Sequence, residues 1–212
     1  MLFRSIASCP GSTFRGLHES IINYGDNKKP EFITTLHEDT AAAMCHGYYK
    51  VAKKPMACMV HGTVGLQHAS MAIYNAYADR VPMLVLTGNI GKPETRQAYI
   101  EWDHAAQDQG ATVRDITKWD DQPNSLQGFA ESTVRAYDMM TTAPMAPCLI
   151  VADGDLQEDP IKPEEEKKLR IPKLKMRSQP AGDIAALREA AKLLLAAEYP
   201  VIYTNQIGRA HV

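Results

Sequence analysis

Phe32-Ile33-Thr34-Thr35-Leu36-His37-Glu38-Asp39-Thr40-Ala41-Ala42-Ala43 changes character half-way along. Its first five residues are apolar or β-branched and read as a strand, Phe32 to Leu36. Beyond His37-Glu38 come helix formers, and the pattern predicts a helix from about Asp39 to Lys50. Glu38 therefore stands at the carboxyl end of a strand and at the mouth of a helix. Open α/β sheets bind ligands in that crevice. The plainer reading is an acid in the first helical turn, favoured by the helix dipole.

The same alternation runs outward in both directions. Upstream, Ile6 to Cys9 reads as the tail of a strand whose beginning is missing. Pro10-Gly11-Ser12-Thr13 is a turn, where Ser12 or Thr13 can cap a helix carrying Phe14 to Tyr24. Downstream, Met56 to Val60 is a short buried strand, and His61-Gly62-Thr63-Val64-Gly65 is a glycine loop at its carboxyl end. A helix from about Leu66 to Ala78 follows. Val81 to Gly88 is a continuous apolar strand of the kind buried on both faces in parallel sheets. Val113 to Lys118 reads as a short strand. Asn124 or Ser125 can cap a helix to about Met140, and Cys148 to Ala152 is a further strand. Strands and helices alternating at this spacing predict an α/β fold: a doubly wound, mostly parallel sheet with helices on both faces.

Composition changes at Asp153. Asp153 to Ser178 is rich in Asp, Glu, Lys and Pro and reads as an exposed linker. Asp183 to Ala197 is an amphipathic helix with Ile184, Leu187, Ala191 and Leu194 on one stripe. Val201 to Tyr203 begins a strand. The division expected is a first domain over 1–160, a linker over 161–180, and the truncated start of a second α/β domain over 181–212.

The chain has 212 residues, 45% of them hydrophobic, so it can bury a sizeable core. Its formal net charge of −2 gives no bulk electrostatic case for nucleic acid or an anionic membrane. The four cysteines, Cys9, Cys45, Cys58 and Cys148, are scattered without metal-ligand spacing and read as reduced core residues of a cytoplasmic protein. No apolar run approaches the roughly 20 residues of a membrane span. Pro10-Gly11-Ser12-Thr13 does not supply the G-x-G-x-x-G of a nicotinamide-binding unit.

Together these residues resemble the N-terminal pyrimidine-binding domain of thiamine-diphosphate enzymes, in the acetolactate synthase, benzoylformate decarboxylase and 2-oxo-acid decarboxylase group. The resemblance runs from about Ile6 to Ile161. It is carried by Pro10-Gly11-Ser12, by His37-Glu38 followed by Ala41 to Tyr48, and by Lys54-Pro55. Gly62-x-x-Gly65, Asn75-Ala76-Tyr77-x-Asp79-x-x-Pro82, Ile116-Thr117-Lys118 and Pro147-Cys148-Leu149-Ile150 continue it in order. Asp183 to Val201 resembles the start of the family's central domain.

The resemblance implies a role for each residue. Glu38 would hydrogen-bond N1′ of the cofactor's aminopyrimidine and so promote loss of the thiazolium C2 proton. Pro10, Gly11, Gly62, Gly65 and Asn75 would line the cofactor. His61 matches the active-site histidine of benzoylformate decarboxylase-like enzymes, and Ser12 the serine that holds the substrate carboxylate there. The plainer readings are a helix cap for Ser12 and a loop hydrogen bond for His61. The resemblance further implies a 2-oxo-acid substrate, a lyase or carboligase reaction, and a homo-oligomer with the active site between subunits. Diphosphate and Mg²⁺ would be held by a domain absent from these residues, so this chain alone is expected to be inactive.

Departures from the family narrow the reading. Trp102-Asp103-His104-Ala105-Ala106-Gln107-Asp108 stands where acetolactate synthases carry Phe-Gln-Glu, which counts against that activity and against the FAD that accompanies it. His104 or Gln107 can still point into the site. Asp153-Gly154-Asp155 lacks the downstream Asn of the family's metal motif and is not a metal site. His37 and His68 read as structural. The remaining alternatives are an acetolactate synthase-like fragment, a stand-alone pyrimidine-domain subunit, and a non-catalytic binding or dimerisation module.

Overall fold

A computed structural model of the chain describes residues 2–89, 91, 104–175, 178 and 181–203. Six strands form one sheet in which every pairing is parallel: β1 (Ser5–Ser8), β2 (Glu31–Thr34), β3 (Met56–Val60), β4 (Met83–Asn89), β5 (Trp119–Asp121) and β6 (Cys148–Asp153). Their order is β2-β1-β3-β4-β6-β5. The chain leaves β1 toward one edge, to β2, then crosses back to place β3 on the other side of β1. The switch in direction lies between β1 and β3, where Ile6, Ala7 and Ser8 pair with Ala57, Cys58 and Met59.

Alternation along the central strands splits the core into two layers. Met56, Cys58 and Val60 of β3 and Met83 and Val85 of β4 face α2 (Glu38–Ala52) and α3 (Val64–Ala78). Ala57, Met59, Leu84 and Leu86 face the opposite layer, formed by α1 (Arg15–Glu19), the turn after it, and α4 (Leu126–Thr141). All of β3, β4 and β6 is buried, as a sheet covered on both faces requires. Helices α2 and α3 meet through small residues: Ala41, Ala42 and Cys45 on one, Ala69, Ala72 and Ala76 on the other. Close approach of these two helices brings their first turns together, which matters for the site.

Several expectations about local structure are corrected. The helix expected over Phe14 to Tyr24 is uneven: a 3₁₀ turn over Ser12–Phe14, then α1, then a π-turn over Ser20–Tyr24. Ser20 Oγ donates back to Gly16 O at 2.8 Å where the helix widens, a side-chain bond that competes with the backbone ladder. Val113 to Lys118 is not a strand. Two 3₁₀ turns occupy Gly110–Thr112 and Arg114–Ile116, drawn tight by Arg114 bridging Asp108 and Asp120. The strand begins only at Trp119. Lys118 closes the far end of α4, donating to Met139 O, Thr142 O and Pro144 O at 2.6–2.9 Å. Ser125 is the residue that caps α4, accepting from Gly128 N at 3.1 Å. Cys9, Cys45, Cys58 and Cys148 are free thiols. Burial pushes the Cys148 thiol up to about 12.

The acidic, proline-rich stretch is less open than its composition implies. Gly154–Glu158 forms a short helix, α5, and Pro163–Lys168 another, α6. Arg15 makes a two-point contact with Glu158, and Gln157 Nε2 donates to Thr13 O at 2.9 Å and Ala152 O at 2.8 Å. The chain divides into two compact units, Met1–Arg177 and Ser178–Val212. In the second, α7 (Ile184–Ala196) is capped by Asp183, which accepts from Ala186 N at 2.8 Å. Its stripe residues Ile184, Leu187 and Leu194 are exposed. Val201 to Tyr203 is not a strand. Among the described residues no helix is long and apolar enough to cross a membrane.

Candidate functional site

Of the residues expected to serve catalysis or bind the cofactor, Pro10, Gly11, Ser12, Glu38, His61, Gly62 and Gly65 lie at or just beyond the carboxyl ends of β1, β2 and β3, around the switch point, and Asn75 does not. β2 ends at Thr34, two residues before the expected limit: Thr35 N–H makes the last bond to β1, to Ser8 O at 2.7 Å, and its hydroxyl donates to His37 O at 3.0 Å as the chain turns into α2. Glu38 is the first residue of α2. Its side chain is 14% exposed, with Oε2 2.9 Å from His68 Nδ1. Oε1 lies against Gly65, where a Cβ would come within 2.7 Å of it. That same Cβ would sit 2.7 Å from His61 Cβ, so the carboxylate oxygen and the stem of His61 are separated by at most twice that distance.

His61 follows β3 directly and is fixed from both ring nitrogens. Nδ1 lies 2.9 Å from Gly62 O, which can only accept, so Nδ1 carries the proton. Nε2 lies 3.2 Å from Ser12 Oγ. In the neutral ring Nε2 is therefore the acceptor of the Ser12 hydroxyl proton. Neither Ser12 nor Thr13 caps the following turn. The cap expected there is absent because both hydroxyls are engaged across the switch point: Ser12 with the His61 ring, and Thr13 Oγ1 with Gly62 N at 2.8 Å.

Glycines make this crossing possible. A Cβ on Gly11 would meet the His61 ring at 2.4 Å, and one on Gly62 would meet Gly88 O at 2.4 Å. A Cβ on Gly88 would fall 1.6 Å from Thr13 O. The loops after β1 and β3 thus interlock with the end of β4. Thr63 takes a positive φ of 51° at the N-cap of α3. It is held there by Gln109, fully buried, whose Oε1 accepts from Thr63 N at 3.0 Å and whose Nε2 donates to Thr63 Oγ1 at 3.1 Å.

The segment that departs from the family pattern contributes differently from expectation. Trp102 and Asp103 lie outside the described residues. Gln107 is exposed. His104 packs edge-on against the His61 ring, centroids 4.9 Å apart. Gln109, not Gln107, enters the site. Asn75 is also apart: it is exposed on α3, seven residues beyond His68 and so about 10 Å further along the axis. Pro10 is exposed beside Gly11.

His68, read from sequence as structural, touches the carboxylate directly. That hydrogen bond holds the His68 pKa above its ordinary value, with Asp39 adding to it. Burial, and then the charge and hydrogen bonding of the nearby Glu38 carboxylate, push the Cys9 thiol up. The sequence signal for His68 was a pair of helices beginning at the same end of the sheet, but which residues of their first two turns meet depends on packing. Among the described residues no group of three or more His, Cys, Asp or Glu is placed to hold a metal ion.

Residues 3–111 match the family model for the thiamine pyrophosphate enzyme, N-terminal TPP binding domain. The chain belongs to the thiamine pyrophosphate enzyme family. This N-terminal domain is similar to the probable 2-ketoarginine decarboxylase of Pseudomonas aeruginosa, 30% identical over 89% of this chain and 32% of that protein. It is also similar to the mitochondrial acetolactate synthase catalytic subunit of Saccharomyces cerevisiae, 25% identical over 92% of this chain and 28% of the relative. Among solved structures, the thiamine diphosphate-dependent 4-hydroxybenzoylformate decarboxylase of Rhodococcus jostii RHA1 superposes with a TM-score of 0.74 at 18% identity, over 94% of this chain and 36% of that one. The chain spans about a third of the length of the relatives it matches.

Proposed function

We propose that this domain supplies the cofactor-activating half of a thiamine-diphosphate-dependent lyase or carboligase acting on a 2-oxo acid. The observation that carries the reading is the Glu38 carboxylate: largely buried, held at Oε2 by His68, and set against Gly65 beside the Ser12–His61 pair. The residues fit a bound aminopyrimidine. A carboxylate is the group that can share a proton with a ring nitrogen, and the missing Cβ of Gly65 lets that carboxylate pack against the start of α3 beside His61. When bound, thiamine diphosphate supplies the electron sink for cleavage beside a carbonyl.

The chain's own residues do the rest. Glu38 would hold the proton at N1′ of the pyrimidine. Gly11, Gly62 and Gly65 would line the cofactor, and their missing Cβ atoms let the loops pack closely enough to bring Ser12, His61 and Glu38 together. Ser12 would donate to the substrate carboxylate, and His61, with its proton fixed on Nδ1, would accept and return a proton at Nε2. Diphosphate and Mg²⁺ would be held by a further domain, and the complete site would lie between two subunits. The Ser12–His61 pair favours a decarboxylase over an acetolactate synthase with FAD.

The test is Glu38→Gln in the full-length protein with saturating thiamine diphosphate, following proton–deuterium exchange at C2. Loss of exchange with the fold intact supports the assignment; exchange at the wild-type rate refutes it. His61→Ala should lower turnover by about 10²-fold or more if the ring is an acid–base group. An unchanged turnover leaves it a loop anchor.

A further inference from the structure

Glu38 carries a long side chain on the first residue of a helix, with nothing in its own turn to fix its rotamer: α2 is entered through His37, which makes no side-chain cap. Its direction is set from a different helix. His68 sits in the second turn of α3, and the small-residue contact between α2 and α3 fixes that helix against α2. A carboxylate only accepts, so His68 Nδ1 must be the donor across the 2.9 Å contact. The imidazole is itself braced by His37, whose ring meets it edge-on at 5.5 Å.

We propose that His68 is the positioning residue for Glu38: by holding Oε2 it aims Oε1 past Gly65 toward the cofactor pyrimidine. This inference rests on the reading of Glu38 as the cofactor-activating carboxylate. His68 does not touch the reacting atoms. It removes the rotational freedom that a lone glutamate would have to lose each time the cofactor is activated, which is the general advantage of a pre-oriented group. The charged and titratable groups facing the ring are Glu38, Asp39 and His37, and Cys9 also interacts with the Glu38 carboxylate. The upward shift of the His68 pKa agrees with the contact, since the Glu38 hydrogen bond is its largest cause.

Two measurements test it. In the 212-residue chain, the His68 imidazole followed by NMR should titrate above about 6.5, and Glu38→Gln should bring the midpoint down. A midpoint that Glu38→Gln leaves unmoved overturns the contact. In the full-length protein, His68→Ala should slow C2 exchange of bound thiamine diphosphate by about 10-fold while its affinity for the cofactor stays nearly constant. His68→Asn, whose amide nitrogen replaces Nδ1, should restore exchange, and His68→Gln, whose amide lies one bond further out, should not. If His68→Ala fails to fold, the Asn and Gln variants decide: equal rates overturn the proposal. Should Glu38→Gln abolish exchange while His68→Ala exchanges at the wild-type rate, His68 is not a positioning residue and the function stands. Should Glu38→Gln exchange normally, the proposed function falls, and this inference with it.

Discussion

Gly65→Ala sets two effects of known sign against each other. Gly65 is the second residue of α3, and alanine there favours the helix by about 0.8–1 kcal/mol. The new Cβ, however, would lie 2.7 Å from Glu38 Oε1 and 2.7 Å from His61 Cβ. The carboxylate oxygen is the far end of a flexible side chain and can swing aside at little cost. His61 Cβ cannot, because its ring is pinned to Gly62 O and packed on Gly11. Overpacking a rigid neighbour typically costs about 1–3 kcal/mol. The clash therefore wins, and the net loss of stability should be about 1 kcal/mol, read as a lower urea midpoint at unchanged slope. The larger effect is on the site. As Glu38 swings, its bond to His68 is lost, so the His68 titration midpoint should fall. In the full-length protein, C2 exchange should fall with it. A variant as stable as the parent, with His68 titrating unchanged, would show that the close packing of Glu38, Gly65 and His61 is not a property of the molecule.

Two further outcomes follow from the same geometry. Gln109→Leu leaves Thr63 N–H without its buried acceptor and frees a loop held at positive φ; a loss of about 2–3 kcal/mol is expected in chemical denaturation, and a change below about 0.5 kcal/mol would refute the bracing role. Asp79 accepts from Lys50 Nζ at 2.6 Å and His46 Nε2 at 2.8 Å, and Lys50 first, then His46, hold its carboxyl below the usual range. Its stabilisation is therefore complete above the unfolded value of about 3.9 and is lost as pH falls through the folded value. Asp79→Asn should remove less than about 1 kcal/mol at neutral pH, since the side chain is 33% exposed, and should flatten the acid limb of the stability curve.

The sequence by itself determined the alternation of elements and the end of the sheet where chemistry sits. Apolar runs such as Met56 to Val60 and Val81 to Gly88 are too short for buried helices and too uniformly apolar for half-exposed strands, so they had to be central strands. Glycines and polar residues at their carboxyl ends then placed Glu38, Ser12 and His61 in the crevice, and the order of the motifs carried the family. Two local features resisted this reading. Val113 to Lys118 has strand-like residues, but Arg114 is drawn to Asp108 and Asp120 and the backbone folds into turns. Ser12 has the residue type of a cap, but a hydroxyl takes the better partner, and His61 is placed to be that partner only after β1 and β3 pair.

Only the tertiary structure decided what touches Glu38. His68 lies 30 residues along the chain, on a helix whose periodicity says merely that one face is buried. Its rotation and depth relative to α2 are fixed by Ala41, Ala42 and Cys45 meeting Ala69, Ala72 and Ala76, and no local pattern encodes that register. The same holds for Gln109, which is one of three amide or acidic residues in Gln107-Asp108-Gln109 and is distinguished from Gln107 by burial alone. Periodicity assigns a residue to a face; which opposing atom it meets is set by the packing of the whole layer.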